Sequence, residues 1–125
     1  MESKHALLVD AFGQASDFMT EILNDAGYNV KVTLTEKEAL FELFKKENFF
    51  DLIITHVDLP GSHSINFIKM TRNEARHKKT PIIAVTNEFT KSGVEACIEA
   101  GATDLLINPF DSSDLKKVIR LCAPF

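Results

Sequence analysis

The sequence predicts an α/β protein, a doubly wound open sheet of five parallel strands with helices on both faces. Three observations carry that prediction. Five short apolar runs, His5–Val9, Asn29–Thr33, Asp51–Thr55, Ile82–Thr86 and Asp104–Ile107, alternate with longer amphipathic stretches, which makes five βα units in a row with right-handed crossovers. Four runs hold continuous apolar stretches (Ala6-Leu7-Leu8-Val9, Leu52-Ile53-Ile54, Ile82-Ile83-Ala84-Val85 and Leu105-Leu106-Ile107). Strands read that way when both faces of a parallel sheet are covered. No repeat, linker or composition break interrupts the pattern, so residues 1–125 read as one domain.

Each element has its own local reason. The second run, Asn29-Val30-Lys31-Val32-Thr33, alternates instead of running continuously, which marks an edge strand. Phe18, Met19, Ile22, Leu23 and Ala26 share one face of a first helix, and Gly27 follows as its C-terminal cap. Thr35-Glu36-Lys37-Glu38 has the form of a capping box, opening a helix expected to bury Ala39, Leu40, Leu43 and Phe44. A third helix is expected from about Ile65 to Arg76, and a fourth from Lys91 to Ala100, capped by Gly101. Asp111 or Ser112 opens a fifth, with Leu115, Val118, Ile119 and Cys122 inward.

Composition narrows the function. The chain is 45% hydrophobic and 26% charged, as ordinary globular proteins are. A net charge of −4 and a pI near 5.5 argue against nucleic-acid binding, which depends on neutralising phosphates. One basic cluster, Arg72, Arg76, His77, Lys78 and Lys79, reads as a solvated helix end. No apolar run is long enough to span a bilayer, and the N-terminus has no leader pattern, so a cytoplasmic protein with no membrane contact is expected. Cys97 and Cys122 fall on helix faces as buried thiols. Phe49-Phe50 reads as core and lid packing.

In doubly wound sheets, ligands bind outside the carboxyl ends of the strands. Asp10 follows the first strand, His56 the third, Thr86 the fourth and Asn108 the fifth, and these four side chains should converge.

Here the sequence resembles the receiver domain of two-component response regulators, the CheY-like family. The resemblance covers about residues 4–120 and rests on five motifs in register. They are Leu7-Leu8-Val9-Asp10; Asp51-Leu52-Ile53-Ile54-Thr55-His56 with Pro60-Gly61; Pro81-Ile82-Ile83-Ala84-Val85-Thr86; Glu99-Ala100-Gly101-Ala102-Thr103-Asp104; and Asn108-Pro109-Phe110. The spacings, 30 residues from His56 to Thr86 and 22 from Thr86 to Asn108, also match. The resemblance implies a flavodoxin-like (βα)5 fold with strand order 2-1-3-4-5. It also implies a phosphorelay role, with a phosphoryl group passing from a partner kinase to an aspartate at the end of the third strand. An acidic pair after the first strand would hold Mg²⁺, a lysine after the fifth would pair with the phosphoryl group, and a Thr or Ser after the fourth would steer an aromatic on the fifth strand.

At most of those positions this sequence departs from the family. The acceptor position is His56, the second acid is Ala11, the lysine position is Asn108 and the switch aromatic is Leu105. Asp10 and Thr86 keep the family chemistry, and Pro109 keeps an expected cis turn. One carboxylate is poor support for Mg²⁺, which wants about six hard oxygen ligands. The expectation is therefore a degenerate receiver, a pseudo-receiver with Mg²⁺ binding lost or weak and no cofactor, in which His56 bonds Asp10 or Thr86 and plugs the pocket. It is not expected to be an enzyme, since no nucleophile–base–orienter set is present. By analogy with the family it would act through a protein partner such as a sensor histidine kinase. The contact surface would be the fourth helix, fifth strand and fifth helix, including Lys116, Lys117 and Arg120. The chain stops after the fifth helix, so no output domain is expected. The alternatives are a receiver phosphorylated at a displaced acceptor, Asp58 or His56, and a small flavodoxin-like binder of a ligand or of a metal held by Asp10, His56 and His63. A phosphate-binding loop is hard to see in Asp10-Ala11-Phe12-Gly13-Gln14-Ala15-Ser16, which has one glycine and an acid.

Overall fold

A computed structural model describes residues 4–10, 16–57, 62–87 and 90–123. Strand β1 (Lys4–Val9), helix α1 (Ser16–Asp25), β2 (Tyr28–Thr33), α2 (Glu36–Leu43), β3 (Leu52–His56), α3 (Ser62–Asn73), β4 (Ile82–Thr86), α4 (Lys91–Ala100), β5 (Asp104–Ile107) and α5 (Ser112–Cys122) follow in that order. The five strands form one parallel sheet ordered β2-β1-β3-β4-β5. The expected topology is the observed one, with β2 at the edge.

Strand alternation sends side chains to two cores. Leu7, Val9, Ile53, Ile82 and Ala84 pack with Ala39 and Leu43 of α2, Phe67 and Ile68 of α3, and Cys97 and Ala100 of α4. Ala6, Leu8, Leu52, Ile54, Ile83 and Val85 pack with Met19, Ile22 and Leu23 of α1 and Leu115 and Ile119 of α5. Both faces of the central strands are covered, which is why their sequences are continuously apolar.

Helix caps follow the local chemistry. The hydroxyl of Thr35 accepts the Glu38 N–H at 3.1 Å, but the Glu38 carboxylate turns to the Leu34 N–H at 3.4 Å, so the expected box is only half formed. The complete reciprocal box is Asp111 with Asp114 on α5. Gly101 caps α4 at φ 119°, in the left-handed region. A Cβ there would also meet the Arg72 side chain at 2.6 Å, so glycine is required on two counts.

The structure corrects three local expectations. Phe44 caps the end of α2 and is exposed rather than buried. The third helix starts earlier and stops at Asn73, and a separate 3₁₀ turn spans Ala75–His77. The basic cluster is solvated, as expected, at Lys78 and Lys79, but not at Arg72, Arg76 and His77. The Arg72 Nε–H donates to the Gly101 carbonyl at 2.8 Å, and its Nη groups donate to the carbonyls of His77, Lys78 and Thr80 and to the Thr103 hydroxyl. The Arg76 guanidinium reaches the carbonyls of Leu43, Lys45, Lys46 and Asn48 and the Glu74 carboxylate. His77 is wholly buried, with its ring stacked on Phe49 at 5.2 Å. Its Nε2 accepts the Phe50 N–H at 3.2 Å, so its Nδ1 carries the proton and donates to Glu74 at 2.6 Å. These residues anchor the segments that enter β3, β4 and β5. A planar fork of donors suits such clustered carbonyls.

Candidate functional site

The site is built from the four expected strand ends. Register sets Val9 beside Thr55, so Asp10 comes next to His56. Asp10 is buried, and its N–H donates to the Thr33 carbonyl at 3.0 Å, tying the end of β1 to β2. His56 closes β3, half-buried, and its carbonyl lies 3.3 Å from the Ser64 hydroxyl of α3. Thr86 closes β4 and is buried, and the Asn108 N–H donates to its carbonyl at 2.8 Å. Asp10, His56 and Thr86 are each engaged by neighbouring groups. The peptide bond between Asn108 and Pro109 is cis.

The side chain of Asn108 donates from Nδ2 to Asn87 Oδ1 at 2.8 Å, so a neutral amide pair bridges the ends of β4 and β5. Asn87 was legible from the rule that identified Thr86, because it is the next residue beyond the same strand end. Glu36 had no such signal. It begins α2, and its Oε2 lies 3.5 Å from the Ser64 hydroxyl, which stands between it and the His56 carbonyl. The Thr55 hydroxyl is the buried side-chain polar atom without a hydrogen-bond partner among the described residues. Chemically, the strand ends offer one carboxylate, one imidazole, a hydroxyl and an amide pair, with no lysine or arginine among those side chains.

Ala11 and Asp58 lie outside the described residues, as does the side chain of His63. Among the described residues no three His, Cys, Asp or Glu side chains gather as metal ligands would. Leu105 is half-buried and packs on the core shared with α2, α3 and α4. Thr86 alternates onto that same face, in line with Ala84. Cys97 is buried and Cys122 half-buried. Burial, together with Asp104, pushes the Cys122 thiol up to about 11. Lys116 and Arg120 flank a groove floored by Ile22, Ala26 and Ile119, so these cations stand on the α1 side of α5. Ile98 of α4 and Ile107 of β5 are exposed. No helix among the described residues is long and apolar enough to cross a membrane.

Known proteins share this fold. The family model for the response regulator receiver domain matches residues 6–120. The two-component response regulator ORR5 of Oryza sativa subsp. japonica is 29% identical over 119 residues, covering 95% of this chain and 86% of the relative. Chemotaxis protein CheY-3 of Vibrio cholerae is 25% identical over 111 residues, covering 89% and 85%. The crystal structure of Vibrio cholerae CheY4 at low pH superposes with a TM-score of 0.86 at 29% identity, covering 97% of this chain and 99% of that one. The match runs from the third residue of β1 into the second half of α5 and includes every strand end of the site. On that match and that geometry, the chain belongs to the response regulator receiver domain family and is a receiver domain of two-component signal transduction.

Proposed function

We propose that this receiver domain is a pseudo-receiver, taking no phosphoryl group at the end of β3 and working as a protein-interaction module in the cytoplasm. The observation that carries the reading is the chemistry at that strand end, where the acceptor position holds the imidazole of His56. The surrounding groups support it. Phosphoryl transfer depends on cations that neutralise charge on the transferring group. The residue at the lysine position, Asn108, is an uncharged amide already donating to Asn87. The Mg²⁺ that the family implies does not fit this donor set. Asp10 is the single acid of the usual pair, Ala11 brings no ligand, and imidazole suits softer metals than Mg²⁺. No step is therefore routed through a metal.

Leu105 has no hydroxyl for Thr86 to steer and is held in the α2–α4 core, so α4 and β5 keep one arrangement. A protein partner docks on the face that includes Lys116, Lys117 and Arg120. These side chains are exposed, and two of them border the α1–α5 groove.

Intact-mass measurement after incubation with acetyl phosphate and Mg²⁺ tests the reading. The expected mass is unchanged. One added phosphoryl group, mapped to His56 or to Asp58, overturns it and makes the domain a working receiver with a displaced acceptor.

A further inference from the structure

The two edges of the sheet are held differently. β2 has six residues, each paired with β1, and buries Tyr28 and Thr33 at its two ends. β5 has four residues, pairs with β4 on one side, and buries one side chain, Leu106. By length and burial it is the weakest strand, and such elements open at lower cost than the whole fold. The helices on either side are secured apart from it. α4 buries Cys97 and Ala100, while α5 has its own capping box and buries Leu115 and Ile119.

Side-chain hydrogen bonds close on β5 at both ends. At its start, the Thr103 hydroxyl accepts from Arg72 Nη2 at 3.2 Å and from the Ile82 N–H at 3.0 Å, joining the end of α3 to the start of β4. At its finish, Asn108 Nδ2 donates to Asn87 Oδ1 at 2.8 Å, just beyond the end of β4. A backbone bond runs beside each, from the Thr103 N–H to the Ile82 carbonyl and from the Asn108 N–H to the Thr86 carbonyl, both at 2.8 Å. The side-chain bonds thus stand where the ladder between β4 and β5 begins and ends.

We infer that β5 opens as a unit of its own, and that two clasps, Arg72–Thr103–Ile82 and Asn87–Asn108, set how rarely it does so. Opening frees the chain between Thr103 and Asn108 from β4 while α4 and α5 stay on their cores. It withdraws Leu106 from the core shared with α1 and α5 and bares the edge of β4. Closed clasps fix β5 within the face formed by α4, β5 and α5. That consequence rests on the interaction reading above, whereas the opening itself does not.

Amide hydrogen exchange of the full chain, read by NMR without acetyl phosphate, tests the inference. In the wild type, β5 amides should exchange through an opening that low urea does not accelerate, while β1 and β3 amides follow global unfolding. Thr103→Val and Asn87→Ala should each speed β5 exchange about fivefold to tenfold, the scale of one or two lost hydrogen bonds. Thr103→Ser and Asn87→Asp keep the accepting oxygen and should exchange like the wild type. Ile53→Val, in the buried middle of the sheet, should speed β1 and β3 exchange and leave β5 unchanged. Urea dependence shared by β5 and β1 overturns the separate opening, and so does equal acceleration of both by Ile53→Val. Unchanged β5 exchange in Thr103→Val or in Asn87→Ala overturns the clasp that the variant removes. Nothing in this measurement depends on phosphorylation, so its failure is distinct from failure of the pseudo-receiver reading.

Discussion

The two ends of the sheet solve different problems. At the amino end, Arg72 and Arg76 gather eight backbone carbonyls between them, and His77 closes the cluster from a fully buried position. At the carboxyl end, Asn108 donates to Asn87, and the Thr55 hydroxyl has no hydrogen-bond partner among the described residues. The multivalent guanidinium hydrogen bonds of Arg72 and Arg76 thus sit away from the functional end. The strand-end side chains, where the family does its chemistry, are one carboxylate, an imidazole, a hydroxyl and a neutral amide pair. The difference teaches that fold stability and phosphoryl chemistry are separable here. The anchoring network includes no group of the strand-end site, so the residues there can vary without loss of the sheet.

Removing an anchor should give the largest effect. Arg72→Ala strips partners from four carbonyls and from the Thr103 hydroxyl, which itself accepts the Ile82 N–H at 3.0 Å. Hydrogen bonds to charged groups are worth about 1.5–3 kcal/mol each and are not additive, so a loss of about 3 kcal/mol is expected in urea denaturation. Arg72→Lys should recover little of it, because an ammonium lacks the fork. A loss below about 1 kcal/mol would remove the contrast between the two ends.

At the carboxyl side a substitution should act in the opposite direction. Thr55→Val keeps the shape of the side chain and removes the unpaired buried hydroxyl. A gain of about 1 kcal/mol is expected, the scale of an unsatisfied polar group. Destabilisation would mean that the hydroxyl has a partner in solution.

The smallest effect depends on pH. Burial pushes the Glu74 carboxyl up, but the hydrogen bonds from His77 and Arg76 outweigh it and hold the group below its ordinary range. A carboxylate with a lowered folded pKa adds stability above its unfolded value of about 4.3, and that stability is lost as pH falls through the folded value. The stability difference between wild type and Glu74→Gln should therefore be constant above about pH 5.5 and shrink below about pH 4.3. A difference that grows on acidification would contradict the hydrogen-bonded arrangement.

The contrast also explains what the sequence made legible. Continuous apolar strands encode a sheet covered on both faces, and the strand ends followed from them, so Asp10, His56, Thr86 and Asn108 could be located by position alone. The amino-end network could not. Arg72 and Arg76 sit one turn apart at the end of a helix pattern, where solvated cations are common, and their targets are backbone carbonyls that carry no residue identity. Phe44 misled for a related reason. Its helical spacing matched the buried face, but α2 ends at Leu43, and the capping residue turns out to solvent.

The central claim is that the missing charges of the pocket, not the fold, prevent phosphorylation. The direct measurement compares the wild type with the triple variant Ala11→Asp, His56→Asp and Asn108→Lys in acetyl phosphate and Mg²⁺, by intact mass. The account predicts one phosphoryl group on the triple variant, at the new carboxylate of position 56, and none on the wild type. Equal labelling of both proteins, or labelling of the wild type alone, would contradict it.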